Sequence, residues 1–139
     1  MHLAGSMRVL CASLIVALAA ASAGCSKSSE KVTTEARQAA ASWAATLSAG
    51  AEWWGSGKVS TPYFRSIVTQ ARTSLQKEEK SARNSAGEAA AAPIRAVASH
   101  AETIAGAVGR GDRAAAIVAA HAAASEVPAD KTPAVAKPQ

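Results

Sequence analysis

The chain of 139 residues has few large apolar side chains, only five aromatic residues and only two cysteines. Alanine accounts for 38 of its residues and therefore for most of its 49% hydrophobic content. Because strands favour β-branched and aromatic residues and disfavour alanine, this composition argues against a β-sandwich or a β-barrel. The length argues against two domains, and the single apolar run excludes a membrane protein with several spans. The composition favours one small helical domain.

The single apolar run extends from Val9 to Ala21 and follows a short positive start, Met7-Arg8. A helix that crosses a bilayer needs about 20 apolar residues, so this run is too short for a permanent span. A positive start, an apolar centre and small residues after it form the three-part layout of a secretory signal. We therefore expect residues 1–24 to be a cleaved signal peptide, which starts at either Met1 or Met7.

The segment after this run reads Ser22-Ala23-Gly24-Cys25 and resembles the lipobox of bacterial lipoproteins. In that family a large aliphatic residue and two small residues precede an obligatory cysteine, and Ser22 stands here in place of the usual leucine. The resemblance implies that the signal is removed and that the thiol of Cys25 carries a diacylglycerol anchor. Ser26 stands where an inner-membrane retention signal has aspartate, which implies the periplasmic face of the outer membrane in a two-membrane bacterium.

Two other interpretations of the N-terminus remain open. One is an ordinary signal peptide cleaved after Ala23, which satisfies the small-x-small rule and leaves Cys25 as a free thiol. The other is a cytoplasmic chain whose apolar start arose by chance. Cysteine usage favours lipidation, because Cys11 lies inside the signal and the mature chain then has no second cysteine for a disulfide. Residues 25–29 are predicted to be the lipidated cysteine and a flexible polar tether.

From Glu30 onward, apolar residues recur at steps of three and four, which predicts amphipathic helices. The first helix is predicted over 30–54 and ends at the glycines of 55–57. The second begins at Ser60 or Thr61, either of which can cap it, with Pro62 in its first turn. Gly87 is predicted to end this second helix.

Two further helices are predicted before a C-terminal tail. Helix 3 is expected to begin between Ala90 and Pro93, because proline is tolerated in a first turn. It ends at the glycines of 109–111, and Asp112 can cap helix 4. Residues 128–139 contain three prolines and few apolar side chains, which predicts a disordered tail.

The short connections between these segments require neighbouring helices to run antiparallel. We therefore expect an all-α fold, a small alanine-rich up-down bundle of three to four helices over residues 30–127. Small alanine faces allow such helices to approach closely. The alternative architecture is an extended helical hairpin that completes its core by self-association or with a partner.

The aromatic residues all fall between Trp43 and Phe64, and four of them bracket the turn between helices 1 and 2. One interpretation is that they form a small core that clamps the hairpin. The other is an aromatic surface, made by Trp53, Trp54, Tyr63 and Phe64, for a ligand, a glycan or a protein partner. Adjacent Trp53 and Trp54 cannot both face one helical stripe, so we expect one of them to be exposed and to be the better candidate for a contact.

Sequence patterns that carry catalytic or metal chemistry do not fit this chain. Gly55-Ser56-Gly57-Lys58 lacks the earlier glycine and the following serine or threonine of a phosphate-binding loop. His100 and His121 match no zinc spacing, even with Glu102 as a third ligand. There is no nucleophile elbow and no glycine-rich oxyanion turn. We therefore expect no catalytic residues, no metal and no cofactor.

The formal charge of the chain is +5, and it is +4 once Arg8 is removed with the signal. The basic residues are spread along the sequence, which disfavours nucleic acid as a partner of an exported protein. Attraction to anionic lipid or to a cell-wall polymer is physically reasonable. The expected function is that of a membrane-anchored, non-enzymatic envelope lipoprotein, a scaffold for an envelope protein partner. The alternatives are a small-ligand binding module built on the aromatic cluster and an enzyme with an unrecognised site.

Overall fold

The computed structural model describes residues 6–127, with side chains from Ser29 onward. Within this part the protein contains four helices and no strand, which confirms the predicted all-α class. The predicted tail at 128–139 lies outside the described residues, and so does the side chain of Cys25. The helices are α1 (Ser6–Gly55), α2 (Thr61–Ala86), α3 (Glu88–Arg110) and α4 (Arg113–Glu126).

The four helices form an antiparallel bundle. Each helix contacts the next along the chain, and α1 also contacts α3 and α4, whereas α2 and α4 make no contact and occupy opposite corners. The α1–α2 connection and the α3–α4 connection lie at the same end of the bundle, which we call the loop end: residues 52–65 and 107–113. The α2–α3 connection at Gly87 lies at the opposite end.

The core consists mainly of small side chains. Of 24 buried apolar residues in the described part, 14 are alanine. All four buried residues of α4 are alanines, so this helix can approach α1 and α3 closely. The largest fully buried side chains are those of Trp54, Phe64, Leu47, Leu75, Ile94, Ile104, Val68 and Val97.

Caps define the starts of α2 and α4, as the sequence predicts. The hydroxyl of Ser60 accepts a hydrogen bond from the backbone N–H of Tyr63 at 3.4 Å. Asp112 Oδ1 accepts one from the backbone N–H of Ala115 at 3.0 Å. Each cap satisfies a backbone donor that has no partner within its own helix. Gly111 before this second cap has φ +70, which a residue with a side chain adopts only at a cost.

The starts of α3 and α1 differ from the prediction. Helix α3 begins at Glu88, so Pro93 lies in the second turn instead of the first, and the backbone oxygen of exposed Ala89 lacks its usual donor. The helix can begin this early because Gly87, at φ +83, reverses the chain within one residue. Helix α1 continues N-terminally from the predicted start at residue 30 to Ser6. The alanines and leucines of residues 9–21 favour helix, whereas the serines and the glycine of residues 22–29 do not.

Candidate functional site

The aromatic residues around the α1–α2 connection divide into a buried pair and an exposed pair. Trp54 and Phe64 are 1% and 0% exposed, and their ring centroids lie 5.4 Å apart at an interplanar angle of 28°. Trp54 Nε1 donates a hydrogen bond to Thr61 Oγ1 at 3.0 Å, so the indole is both packed and hydrogen-bonded. This pair clamps the hairpin, as the core interpretation predicts.

Trp53 and Tyr63 form the exposed pair, with 49% and 55% of their surface accessible. Consecutive helical residues point about 100° apart, so burial of Trp54 turns Trp53 away from the core. The prediction that only one of these two tryptophans is buried is therefore confirmed. Its further part, that the exposed residue contacts a ligand or partner, remains a prediction. Trp43 lies farther down α1 and is half-buried.

Close approach of α1 and α2 at this end depends on Gly50, which the sequence analysis did not single out. A Cβ built on Gly50 would lie 2.9 Å from Phe64 Cε2, too close for any real contact. Gly55 plays the same part toward α4, because a Cβ there would lie 2.6 Å from Ile117 Cδ1. Two glycines in the last turns of α1 thus allow a large ring and a branched side chain to pack on its backbone.

Arg113, the first residue of α4, joins the buried aromatic pair to the other connection. Its Cζ lies 5.6 Å from the centroid of the Trp54 ring, within the range of a cation–π interaction. The ring face therefore holds the guanidinium at the end of the core, although Arg113 is exposed to solvent.

The remaining charged residues at the loop end are mainly basic. Lys58, Arg65 and Arg110 are exposed, and neither they nor Arg113 have a carboxylate within 4.0 Å in the described part of the chain. Asp112 already caps α4 through Oδ1. The acidic residue below it, Glu52, pairs with a histidine of α4.

The two histidines of the bundle do not converge. His100 Nε2 lies 3.0 Å from Glu126 Oε1, and His121 Nε2 lies 2.8 Å from Glu52 Oε1. These pairs tie α4 to α3 and to α1. Glu102, the third ligand considered for a metal, instead accepts a hydrogen bond from Arg72 Nε at 2.7 Å. Among the residues whose side chains are described, no three histidine, cysteine or acidic residues form a metal-binding group.

The end of the bundle at Gly87 carries a network of opposite charges between α2 and α3. Glu79 accepts from Arg83 at 2.5 Å and from Arg95 at 2.9 Å. Glu88 pairs with Arg83 at 2.7 Å and also with Arg95. The hydrogen bond from Arg95 is the main cause that holds the pKa of Glu88 below its ordinary value. The charges of these four residues therefore offset one another.

A small groove opens between α1, α2 and α3 in the lower half of the bundle. It has a volume of about 190 Å³, and its walls are mostly apolar. Glu78 lies in it, and its buried Oε2 has no hydrogen-bond partner among the residues whose side chains are described. Burial raises the pKa of this carboxyl, while nearby Lys77 acts in the opposite direction. The lining residues are Val32, Glu35, Ala36, Ala39, Glu78, Ser81, Ala82 and Ile94.

Comparisons with protein-family models, with curated proteins and with solved structures found no match to this chain. Within residues 6–127, no helix combines the length and the apolar character that crossing a bilayer requires. The candidate site therefore has to be interpreted from its own geometry: two exposed aromatic side chains at an end of the bundle that also carries four exposed basic residues.

Proposed function

We propose that this protein is an exported lipoprotein, anchored to an envelope membrane through lipid on Cys25, and that it acts as a non-enzymatic scaffold. The observation that carries the proposal is the sequence Ser22-Ala23-Gly24-Cys25 behind a short apolar run. Two or three acyl chains on one cysteine give stable anchoring where a single chain does not. In a two-membrane bacterium the protein would face the periplasm from the outer membrane.

The roles of the polar side chains in the bundle support a scaffold. Histidines and arginines pair with glutamates of neighbouring helices, and the indole N–H of Trp54 is used within the hairpin. These contacts hold helices together. The alanine-rich core allows the helices to pack closely, which suits a narrow tethered spacer or docking element.

One side of α1 offers a surface for an envelope protein. From Gln38 to Ala51 the helix contains no charged residue, and Ser42, Ala45 and Thr46 on it are exposed. Small uncharged side chains allow another helix to approach closely with little desolvation cost. We assign the protein partner to this side.

Metabolic labelling with an alkynyl fatty acid tests the anchor. The wild-type protein should incorporate the label and Cys25→Ala should not, whereas Cys11→Ala should remain labelled because that cysteine lies inside the cleaved signal. Label that persists in Cys25→Ala would refute lipidation at this residue.

Photo-crosslinking in membranes tests the partner surface. A photoreactive amino acid at Thr46 should give one discrete adduct in a native membrane. The matched control is Thr103, an exposed threonine on α3, which should give none. Equal adducts at both positions would mean that the uncharged side of α1 is not a specific surface.

A second function, binding of a ligand at the loop end, is favoured by the exposure of Trp53 and Tyr63. Tryptophan is on average a well-buried residue, so a half-exposed indole beside a half-exposed phenol needs a reason. The two functions use different surfaces and are compatible in one tethered protein.

A further inference from the structure

The loop end of the bundle gathers positive charge from parts of the sequence that are far apart. Lys58 comes from the α1–α2 connection, Arg65 from the first turns of α2, and Arg110 and Arg113 flank the α3–α4 connection. Two helices end and two begin here, so their dipoles oppose one another and contribute little net field. The sign of the field at this end is therefore set by the side chains.

The arginines along the α2–α3 contact provide the contrast. Arg72, Arg83 and Arg95 each lie within 4.0 Å of at least one glutamate. Such pairing offsets the charges of these three arginines, although Lys77 and Lys80 on α2 have no carboxylate within 4.0 Å in the described part of the chain. Within the described part of the chain, four cations at the loop end have no carboxylate within 4.0 Å, and they outnumber the two acidic residues there, Glu52 and Asp112. This end is therefore a positive surface that can attract an anionic partner.

The exposed aromatic residues lie at this same end. The backbone oxygen of Trp53 accepts a hydrogen bond from the N–H of Lys58 at 2.8 Å, which places an aromatic residue and a cation within one turn of chain. The backbone N–H of Tyr63 donates a hydrogen bond to the hydroxyl of Ser60, and this cap defines the start of α2 next to Trp53 and Lys58. Trp53 lies in the last turn of α1 and Tyr63 in the first turn of α2, so helices carry both rings.

A folded protein partner fits this end poorly. A stable protein interface buries about 800 Å² on each side around an apolar core. Apart from the two rings, the connections present small and polar residues such as Ser56, Gly57 and Asp112. A flexible chain that carries carboxylates and ring-shaped units can bind through aromatic faces and separated cations alone, and the loop end presents both.

We propose that the loop end is a binding surface for an acidic polysaccharide, with Trp53 and Tyr63 stacking on sugar rings and Lys58, Arg65, Arg110 and Arg113 binding carboxylates. This inference rests on the ligand-binding function and names its ligand class. In the anchored protein the surface lies far from the membrane, because α1 rises about 40 Å between Ser29 and Gly55. The tethered bundle would thereby connect a membrane to an acidic polymer.

Calorimetric titration of the full-length protein, purified in detergent, tests the inference. The probes are polygalacturonate, neutral dextran and poly-L-glutamate. We expect polygalacturonate to bind, dextran not to bind, and poly-L-glutamate to bind at least about tenfold more weakly, because it supplies charge without sugar rings. Binding of polygalacturonate should weaken as salt is raised.

Aromatic variants test the stacking. Trp53→Ala should weaken polygalacturonate binding about tenfold, the effect typical of a tryptophan that anchors an interface. Trp53→Phe keeps an aromatic face and should stay within about threefold of wild type. Helical circular dichroism and the melting temperature provide the folding control, since Trp53 is exposed and outside the core.

Charge variants test the location. The double variant Lys58→Gln, Arg110→Gln should weaken binding about tenfold, whereas Lys77→Gln, Lys80→Gln should change it less than about twofold. The control pair removes the same charge from exposed positions on α2, away from the loop end. Equal losses in the two double variants would overturn the inference in favour of general charge attraction.

Three other results would also overturn it. Poly-L-glutamate that binds as tightly and depends equally on Trp53 would indicate an acidic protein. Phosphatidylglycerol vesicles that compete for the same end would indicate a membrane, and absence of polygalacturonate binding would remove the proposal altogether. The titration does not depend on acylation, so its failure can be told apart from failure of the lipid label at Cys25.

Discussion

Phe64 packs on the backbone of Gly50, and a single added methyl group at residue 50 would come within 2.9 Å of its ring. The same ring stacks on Trp54 one turn farther along α1. The α1–α2 hairpin therefore closes around a glycine, a phenyl ring and an indole, and it positions the exposed Trp53 and Tyr63. Substitutions in this contact test how the hairpin is held.

Gly50→Ala should destabilise the protein although alanine is the better helix former. The helix gains about 1 kcal/mol from the substitution, but the ring must shift in a filled core, which costs about 1–3 kcal/mol. We expect a net loss of about 1 kcal/mol in urea unfolding. The control Gly109→Ala meets no atom within 4 Å and should be neutral or stabilising. In a Phe64→Leu background, Gly50→Ala should lower the free energy of unfolding by less than in wild type. An unchanged loss would mean that contact with the Phe64 ring is not its cause.

The adjacent tryptophans should differ strongly in their effect on stability. Trp54→Ala removes a buried ring and the hydrogen bond to Thr61, and should cost about 3–5 kcal/mol. Trp53→Ala removes a half-exposed ring and should cost less than about 1 kcal/mol. Chemical denaturation of both variants measures the difference. Similar losses in the two would mean that Trp53 belongs to the core.

Glu78→Met should stabilise the protein at neutral pH. The substitution removes a carboxylate whose Oε2 is buried without a partner and replaces it with an apolar chain of similar length. We expect a gain below about 1 kcal/mol, because the carboxyl is partly solvated. Gln76→Met, on an exposed position of the same helix, is the control and should be near neutral.

The gain from Glu78→Met should depend on pH with a definite sign. Burial raises the pKa of Glu78 in the folded protein above its ordinary value of 4.5. The folded state therefore binds this proton more readily than the unfolded state, so ionised Glu78 opposes folding and the penalty disappears as the pH falls. The melting temperatures of wild type and variant should converge below about pH 4. A constant difference at all pH values would contradict this origin.

Arg95→Gln should weaken the α2–α3 contact near Gly87. It removes one of the two arginine partners of Glu79 and of Glu88 and leaves Arg83 as the other. We expect a small fall in melting temperature that fades in about 1 M salt, because exposed ion pairs are screened. Arg37→Gln, an exposed arginine outside this network, is the matched control. A loss of equal size at low and high salt would point to packing of the side chain instead.

The same variant should change the response to acid. Hydrogen bonding from Arg95 lowers the pKa of Glu88 in the folded state below its ordinary value of 4.5. The ionised carboxylate therefore stabilises the folded state at pH values above 4.5, and this stabilisation is lost as the pH falls. Thermal melts between about pH 3 and about pH 7 bracket the ordinary pKa of glutamate. The melting temperature should fall less on acidification in Arg95→Gln than in wild type.

The periodicity of the sequence was sufficient to predict the all-α class and most of the helix ends. The starts at Ser60 and Asp112 follow from local chemistry, since a cap needs only a side-chain oxygen near three consecutive backbone donors. The start of α3 was predicted too late. Proline prefers the first turn of a helix, but the turn at Gly87 and the packing of Ala90 and Ala91 into the core allow α3 to begin before Pro93.

The aromatic cluster illustrates the limit at the candidate site. Consecutive residues of a helix point in different directions, so the sequence alone indicates that Trp53 and Trp54 cannot both face the core. Which one is buried depends on where α2 and α4 lie, because Thr61 and Arg113 both approach the indole of Trp54. No local pattern contains that information.

The sequence by itself determined the all-α class, the caps, the scarcity of large core residues and the lipobox-like segment at Cys25. Only the tertiary structure decided which glycines admit a ring, which glutamate each histidine meets and which cations are left without a carboxylate at the loop end. The physical reason is distance along the chain: propensity and capping act over about four residues, whereas Glu52 and His121 meet across 69 positions.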